Sequence, residues 1–104
     1  MYVQIALLKW KPELTAEQID QTLAQYSQLN DIEGVLDVTT AENTSPWARG
    51  YTHVIYIRVR DDAGMAALKA DPRRKAFSQQ VDAMEEHGLG IAFQAPEAGK
   101  EIQA

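Results

Sequence analysis

Residues 50–60 read GYTHVIYIRVR, and the alternation in this stretch organises the rest of the chain. Tyr51, His53, Ile55, Ile57 and Val59 fall on one face of a strand, and Thr52, Val54, Tyr56, Arg58 and Arg60 fall on the other. The first face reads as core, because a half-buried strand places its apolar residues at every second position. Yet it carries His53, one of only two histidines in the chain. A histidine there is either a pocket group, able to exchange a proton near neutral pH, or a hydrogen-bonded structural residue.

Upstream, Tyr2 to Trp10 (YVQIALLKW) is apolar on both faces, as in a strand covered on both sides. After Pro12, the stretch LTAEQIDQTLAQYSQLN reads as a helix over Leu14 to Asn30. Thr15 is its N-cap, with Gln18 in capping-box position and Leu14 and Ile19 as a hydrophobic staple. Ile19, Leu23 and Tyr26 form its apolar stripe. Gly34 marks a turn, Val35 to Ala41 a short strand, and ENTSPWARG a loop. Downstream of Arg60, Asp61 or Asp62 caps a short helix. A second helix starts at Asp71, with Pro72 in the first helical position. Its buried stripe is Phe77, Val81 and Met84. His87 and Gly88 read as its C-terminus, a cation near the negative end of the dipole followed by a C′ glycine. LGIAFQA is the last strand. The order β-α-β-β-α-β predicts an α+β, ferredoxin-like domain over residues 1–95, with a four-stranded antiparallel sheet, helices on one face and a polar tail at 96–104.

Length and composition narrow the function. A chain of 104 residues is one domain. A net charge of -5 opposes nucleic-acid binding, which needs a basic patch. No run approaches the roughly 20 apolar residues of a membrane span, no leader is recognisable, and the reading is a cytoplasmic protein. With no cysteine, disulfides and thiolate chemistry are excluded, and two distant histidines make no metal site. The sheet face away from the helices carries Val3, Ile5, Leu7, Val54 and Tyr56, with either Ala92 and Gln94 or Ile91 and Phe93 from the last strand. Soluble monomers seldom expose such a patch, which predicts a homodimer, sheet against sheet with two-fold symmetry.

The segments IALLKWKPELTAEQID, IEGVLDVTTAEN, GYTHVIYIRV and DPRRKAF stand in the order found in the stress-responsive A/B barrel domain (Dabb) family, which the chain resembles from about Val3 to Gln94. The resemblance implies a dimeric α+β barrel of ferredoxin-like subunits and a possible stress-related role, with no metal or organic cofactor. It also implies a polar pocket. In a plant polyketide cyclase of the family, histidines on the first and third strands line the pocket, and a histidine and a tyrosine near the second helix do the chemistry. His53 matches the third-strand histidine. Gln4 stands for the first-strand one, Arg74 for the helix histidine, and Leu68 for the tyrosine. Neither glutamine nor arginine transfers a proton near neutral pH, so the same cyclase mechanism is not expected.

These residues suggest a cleft in which Gln4 faces His53 beneath the second helix, Arg74 guards the mouth, and Trp10, Leu68 and Phe77 line the walls. Trp47, in the loop, caps the cleft or meets the partner. Such a cleft suits a small, partly apolar ligand with a carbonyl or anionic group. His53 is the one candidate catalytic residue. The competing readings are a cofactor-free enzyme, cyclase-like or monooxygenase-like, and a noncatalytic dimerisation module.

Overall fold

The structure, a computed structural model, describes residues 1–95; the polar tail expected at 96–104 lies outside the described residues. The first strand, β1, spans Tyr2–Trp10. Helix α1 (Ala16–Ala24) starts at Thr15, whose side chain accepts from the Gln18 N–H while the Gln18 side chain reaches back to the Thr15 N–H. Strand β2 (Val35–Glu42) and strand β3 (His53–Val59) follow. Helix α2 (Asp62–Ala70) is capped by Asp61, and helix α3 (Pro72–Met84) by Asp71 with Pro72 at its start. Strand β4 (Glu85–Gln94) closes the chain. The sheet is antiparallel with strand order β2-β3-β1-β4, the ferredoxin-like plan.

The helix-side core is built from Leu8 of β1, Ile55, Ile57 and Val59 of β3, and Val38 of β2. Against them pack Ile19, Leu23, Tyr26, Leu29, Leu68, Phe77 and Val81 from the helices. Leu29, Leu68 and Val59 are fully buried.

Two elements depart from the sequence reading. The first helix is α-helical only to Ala24 and continues as a 3-10 helix over Gln25–Asp31. With three residues per turn, Tyr26 and Leu29 lie one above the other, and both point into the core. The Asn30 amide anchors this turn to β2, accepting from the Val38 N–H at 2.9 Å and donating to the Val38 carbonyl at 3.3 Å.

The second departure concerns His87, which is not a helix-end residue. Helix α3 stops at Met84, whose carbonyl accepts from the Lys11 N–H at 3.0 Å. The reason is the length of β1: its last residues need a partner strand, and Glu85 to Gly88 supply it opposite Trp10, Lys9 and Leu8. Sheet pairing therefore overrides the local helix-stop signal. His87 lies across from Lys9, and its Nδ1 is 2.7 Å from the Tyr51 hydroxyl. Tyr51 precedes β3 and reaches His87 on the sheet face opposite His53, so the alternation of residues 50–60 holds only from His53 onward.

Val3, Ile5 and Leu7 lie away from the helices, opposite Arg58, Tyr56 and Val54 on β3 and opposite Phe93, Ile91 and Leu89 on β4. The two alternatives for β4 are thereby decided: Leu89, Ile91 and Phe93 share this face, and each is more than two-fifths exposed.

Gly34 lies at φ +91, where a side chain is strained, and a Cβ there would stand 2.6 Å from the Gly64 Cα of α2. The Gly34 turn and the first turn of α2 thus touch backbone to backbone. Gly34→Ala should cost about 2 kcal/mol or more of stability, the left-handed penalty alone being roughly 1–2 kcal/mol; urea unfolding with an unchanged midpoint would contradict this contact.

Candidate functional site

A hollow runs between α3 and the β1–β4 half of the sheet, and its origin is the alternation of β4. On the helix side β4 presents Gly88, Gly90 and Ala92, opposite Leu8, Ala6 and Gln4 of β1. These residues are too small to fill the space beneath the helix. A Cβ built on Gly90 meets nothing within 4 Å. The hollow has two continuous parts, of about 310 Å³ and 300 Å³, which share Ala6, Tyr26, Ile55, Ser78 and Gly90. Gln4, Ile57 and Arg74 line the first part, and Val81, Asp82 and Glu85 line the second. Arg74, Ser78 and Asp82 recur at the four-residue spacing that puts side chains on one face of α3, and Glu85, the first residue of β4, follows at its end.

The two adjacent arginines of α3 have separate roles. Arg73 forks onto Asp31, at 2.7 and 3.0 Å, and onto Asp71, at 2.9 and 3.1 Å. These bonds raise the basicity of the guanidinium and hold both carboxyls below their ordinary range. Arg74 has no ion pair or side-chain hydrogen bond among the described residues, and it lines the hollow. Gln4 makes only a long contact from its amide nitrogen to the Met65 sulfur, at 3.5 Å. Tyr26 is buried, and burial pushes its hydroxyl pKa above the usual value, against the opposing influence of Ser78 and Arg74. It is therefore a protonated hydroxyl at neutral pH. At the far end burial, reinforced by Asp82, pushes the Glu85 carboxyl up, with His87 acting in the opposite sense.

His53 lies elsewhere. It pairs with Leu8 in the ladder, whereas Gln4 pairs with Ile57. The two share a face but are four residues apart, about 13 Å along the strand. They do not meet across one cleft. His53 borders a separate hollow of about 190 Å³ with Asp20, Leu23, Thr40 and Glu42. The Trp10 indole N–H donates to its Nδ1 at 2.9 Å, edge-on with ring centroids 5.7 Å apart, and the Thr52 hydroxyl lies 2.9 Å from the same nitrogen. Indole can only donate, so Nδ1 is the acceptor and the neutral ring carries its proton on Nε2. In that state His53 can offer a hydrogen bond to a neighbour, but its lone pair is already engaged.

Of the residues singled out from the sequence, the fold brings Gln4 and Arg74 together and pairs Trp10 with His53. Leu68 and Phe77 are core, Phe77 stacking near Tyr26 with centroids 5.5 Å apart. Trp47 stands 80% exposed in the β2–β3 loop. Tyr26 is expected only as part of the apolar stripe of the first helix, and Ser78, Asp82, Glu85 and Gly90 carry no expected site role. The small-large alternation GLGIAF signals Gly90, and the four-residue spacing along α3 signals Ser78 and Asp82. Among the described residues, no group of three or more His, Cys, Asp or Glu could hold a metal ion, and no helix is long and apolar enough to cross a membrane.

The layered sheet and the hollow beneath α3 define a ferredoxin-like α+β domain. The stress responsive A/B barrel domain (Dabb) matches residues 3–91, and the chain belongs to that family. No curated protein matches it in sequence. Among solved structures it is similar to the hydroxynitrile lyase of Passiflora edulis, with TM-score 0.81, 21% identity, and 92% of this chain and 94% of that chain covered. It is also similar to a dimeric ferredoxin-like protein of unknown function from Thermobifida fusca, with TM-score 0.79, 19% identity and 90% of each chain covered. A Dabb family protein from Mesorhizobium loti gives TM-score 0.75, 18% identity, and 91% and 96% covered. At these identities the likeness is one of fold.

Trp10→Phe combined with Thr52→Val removes both donors to Nδ1, the indole and the Thr52 hydroxyl, while keeping an aromatic ring. We expect nitrogen NMR shifts of His53 to report the Nε2-protonated form in the wild type and a mixture of tautomers in the variant; a mixture in both would rule out the Trp10 bond.

Proposed function

We propose that the protein is a homodimer that binds a small, partly apolar molecule bearing a carboxylate or carbonyl group in the hollow beneath α3. The observation that carries this is the guanidinium of Arg74, which has no ion-pair partner among the described residues and lines an apolar-walled cavity with Gln4. A planar fork of donors suits a carboxylate, and confinement strengthens the contact. Gln4 and the protonated Tyr26 hydroxyl add hydrogen-bond donors, while Ile55 and Ile57 supply apolar wall. At the Arg74 end the groups are those of a binding site, an arginine, an amide and a protonated phenol, and His53 borders another hollow.

The dimer reading rests on the helix-free sheet face. Leu89, Ile91 and Phe93 are exposed there beside Ile5 and Leu7, with Val54 and Tyr56 on β3. Val3, expected at the same interface, is already 3% exposed within the subunit, between Arg58 and Phe93 in the ladder, and has little left to bury. Burial of such side chains against a second copy stabilises by roughly 25 cal/mol per Å² of apolar surface. The dimeric protein from Thermobifida fusca, of the same fold, supports this assembly.

Octanoate serves as the probe for the hollow. It should raise the melting temperature of the wild type, and Arg74→Met should weaken its binding roughly ten-fold, the value of one charge-assisted contact; an equal response in both proteins would dismiss Arg74 as the anchor.

Sedimentation of the wild type at micromolar concentration should give a dimer mass, and Ile91→Glu a folded monomer. A monomeric wild type would end the homodimer reading.

A further inference from the structure

The hollow beneath α3 is charged oppositely at its two ends. Arg74 lines one part, and Asp82 and Glu85 line the other. Between them the shared lining is Ala6, Ile55, Gly90 and the hydroxyls of Tyr26 and Ser78. From Arg74 to Asp82 is eight residues, about 12 Å along the helix axis. Among the described residues neither carboxylate makes an ion pair or accepts a hydrogen bond; Asp82 is exposed and Glu85 only partly so. An acidic pair by itself would be a solvated helix end. Here it terminates a cavity whose opposite terminus is a cation with no ion-pair partner of its own.

We propose that the hollow takes a linear zwitterion, with its carboxylate on Arg74, its ammonium between Asp82 and Glu85, and its methylene chain along Ala6, Ile55 and the open space at Gly90. This rests on the reading of the hollow as an anion-binding site and adds the second charge and the length of the ligand. The complementarity is physical. A carboxylate alone would leave the partly buried Glu85, with Asp82 beside it, facing an apolar chain, where an unbalanced charge is costly. An ammonium there relieves the repulsion between the two carboxylates, and its attraction to them opposes the upward pressure that burial and Asp82 put on the Glu85 carboxyl. The separation of the charges sets a minimum length, so short amino acids would satisfy only one end.

Gly90 gives the variant that isolates the cavity. A Cβ at Gly90 meets nothing within 4 Å and its φ is not positive, so Gly90→Leu introduces bulk into the hollow without backbone strain. The experiment is calorimetric titration of the full chain with aminobutanoate, aminohexanoate, aminooctanoate (each with a terminal amine), octanoate and octylamine. We expect affinity to rise along the amino-acid series, and aminooctanoate to bind roughly ten-fold tighter than octanoate. Asp82→Asn with Glu85→Gln should erase that difference while leaving octanoate binding intact, and Gly90→Leu should abolish both. Octanoate binding as tightly as aminooctanoate would overturn the zwitterion and leave the anion site standing. Absence of binding by both would overturn the anion site itself. Unchanged binding in a folded Gly90→Leu variant would place the ligand outside this hollow and overturn the proposal.

Discussion

The pairing of β1 with β4 is the constraint on which both faces of the sheet depend. From Tyr2 opposite Gln94 to Lys9 opposite His87 the ladder runs without a shift, and a bulge follows only at Trp10. Residues directly opposite in an antiparallel pair project to the same side. The register therefore sends Gly88, Gly90 and Ala92 to the helix side and Leu89, Ile91 and Phe93 to the other. One face lacks side-chain volume and becomes a hollow; the other has apolar surface in excess. A slip of one residue would exchange the two sets, filling the hollow and stripping the open face. The groove and the apolar sheet face are two results of one alternation.

Helix α3 supplies the chemistry over this floor, and its capping residue decides which arginine is free to act. Asp71 accepts the Arg73 N–H at 2.8 Å and also binds the Arg73 guanidinium, which extends to Asp31 on the 3-10 helix. These pairs are partly exposed and contribute modestly to stability. Their larger effect is geometric: they tie the start of α3 to the segment carrying Tyr26. Arg74, about 100° further round the helix, is left over the sheet. The 3-10 turn completes the arrangement by stacking Tyr26 on Leu29, which places the phenol in the wall of the hollow while its ring remains in the core.

Local signals in the chain predict structure where a few adjacent residues carry the physics. The capping box at Thr15 and Gln18, the Asp71–Pro72 start of α3 and the alternation from His53 to Val59 depend on contacts within one turn or one strand. Such signals are overridden where a distant segment competes. His87 and Gly88 carry helix-stop chemistry, yet β1 extends far enough to draw Glu85 to Gly88 into a strand. Gln4 and His53 have matching face parity, but parity says nothing of position along the ladder, and the register separates them. The cleft expected around both residues divides into two hollows for that reason.

The sequence by itself determined the β-α-β-β-α-β order, the helix-facing side of each central strand and the family, because periodicity, caps and ordered motifs are properties of the chain. It also held the alternation of small and large residues in β4, although nothing in the chain says which strand those residues will face. The tertiary structure decided which polar groups meet. It drew Arg74 to Gln4 and Tyr26, gave His53 to Trp10, and put Asp82 and Glu85 at the opposite end of the same groove. These encounters join residues tens of positions apart, and they are set by strand register and by the seating of α3 over the sheet, which no local pattern encodes.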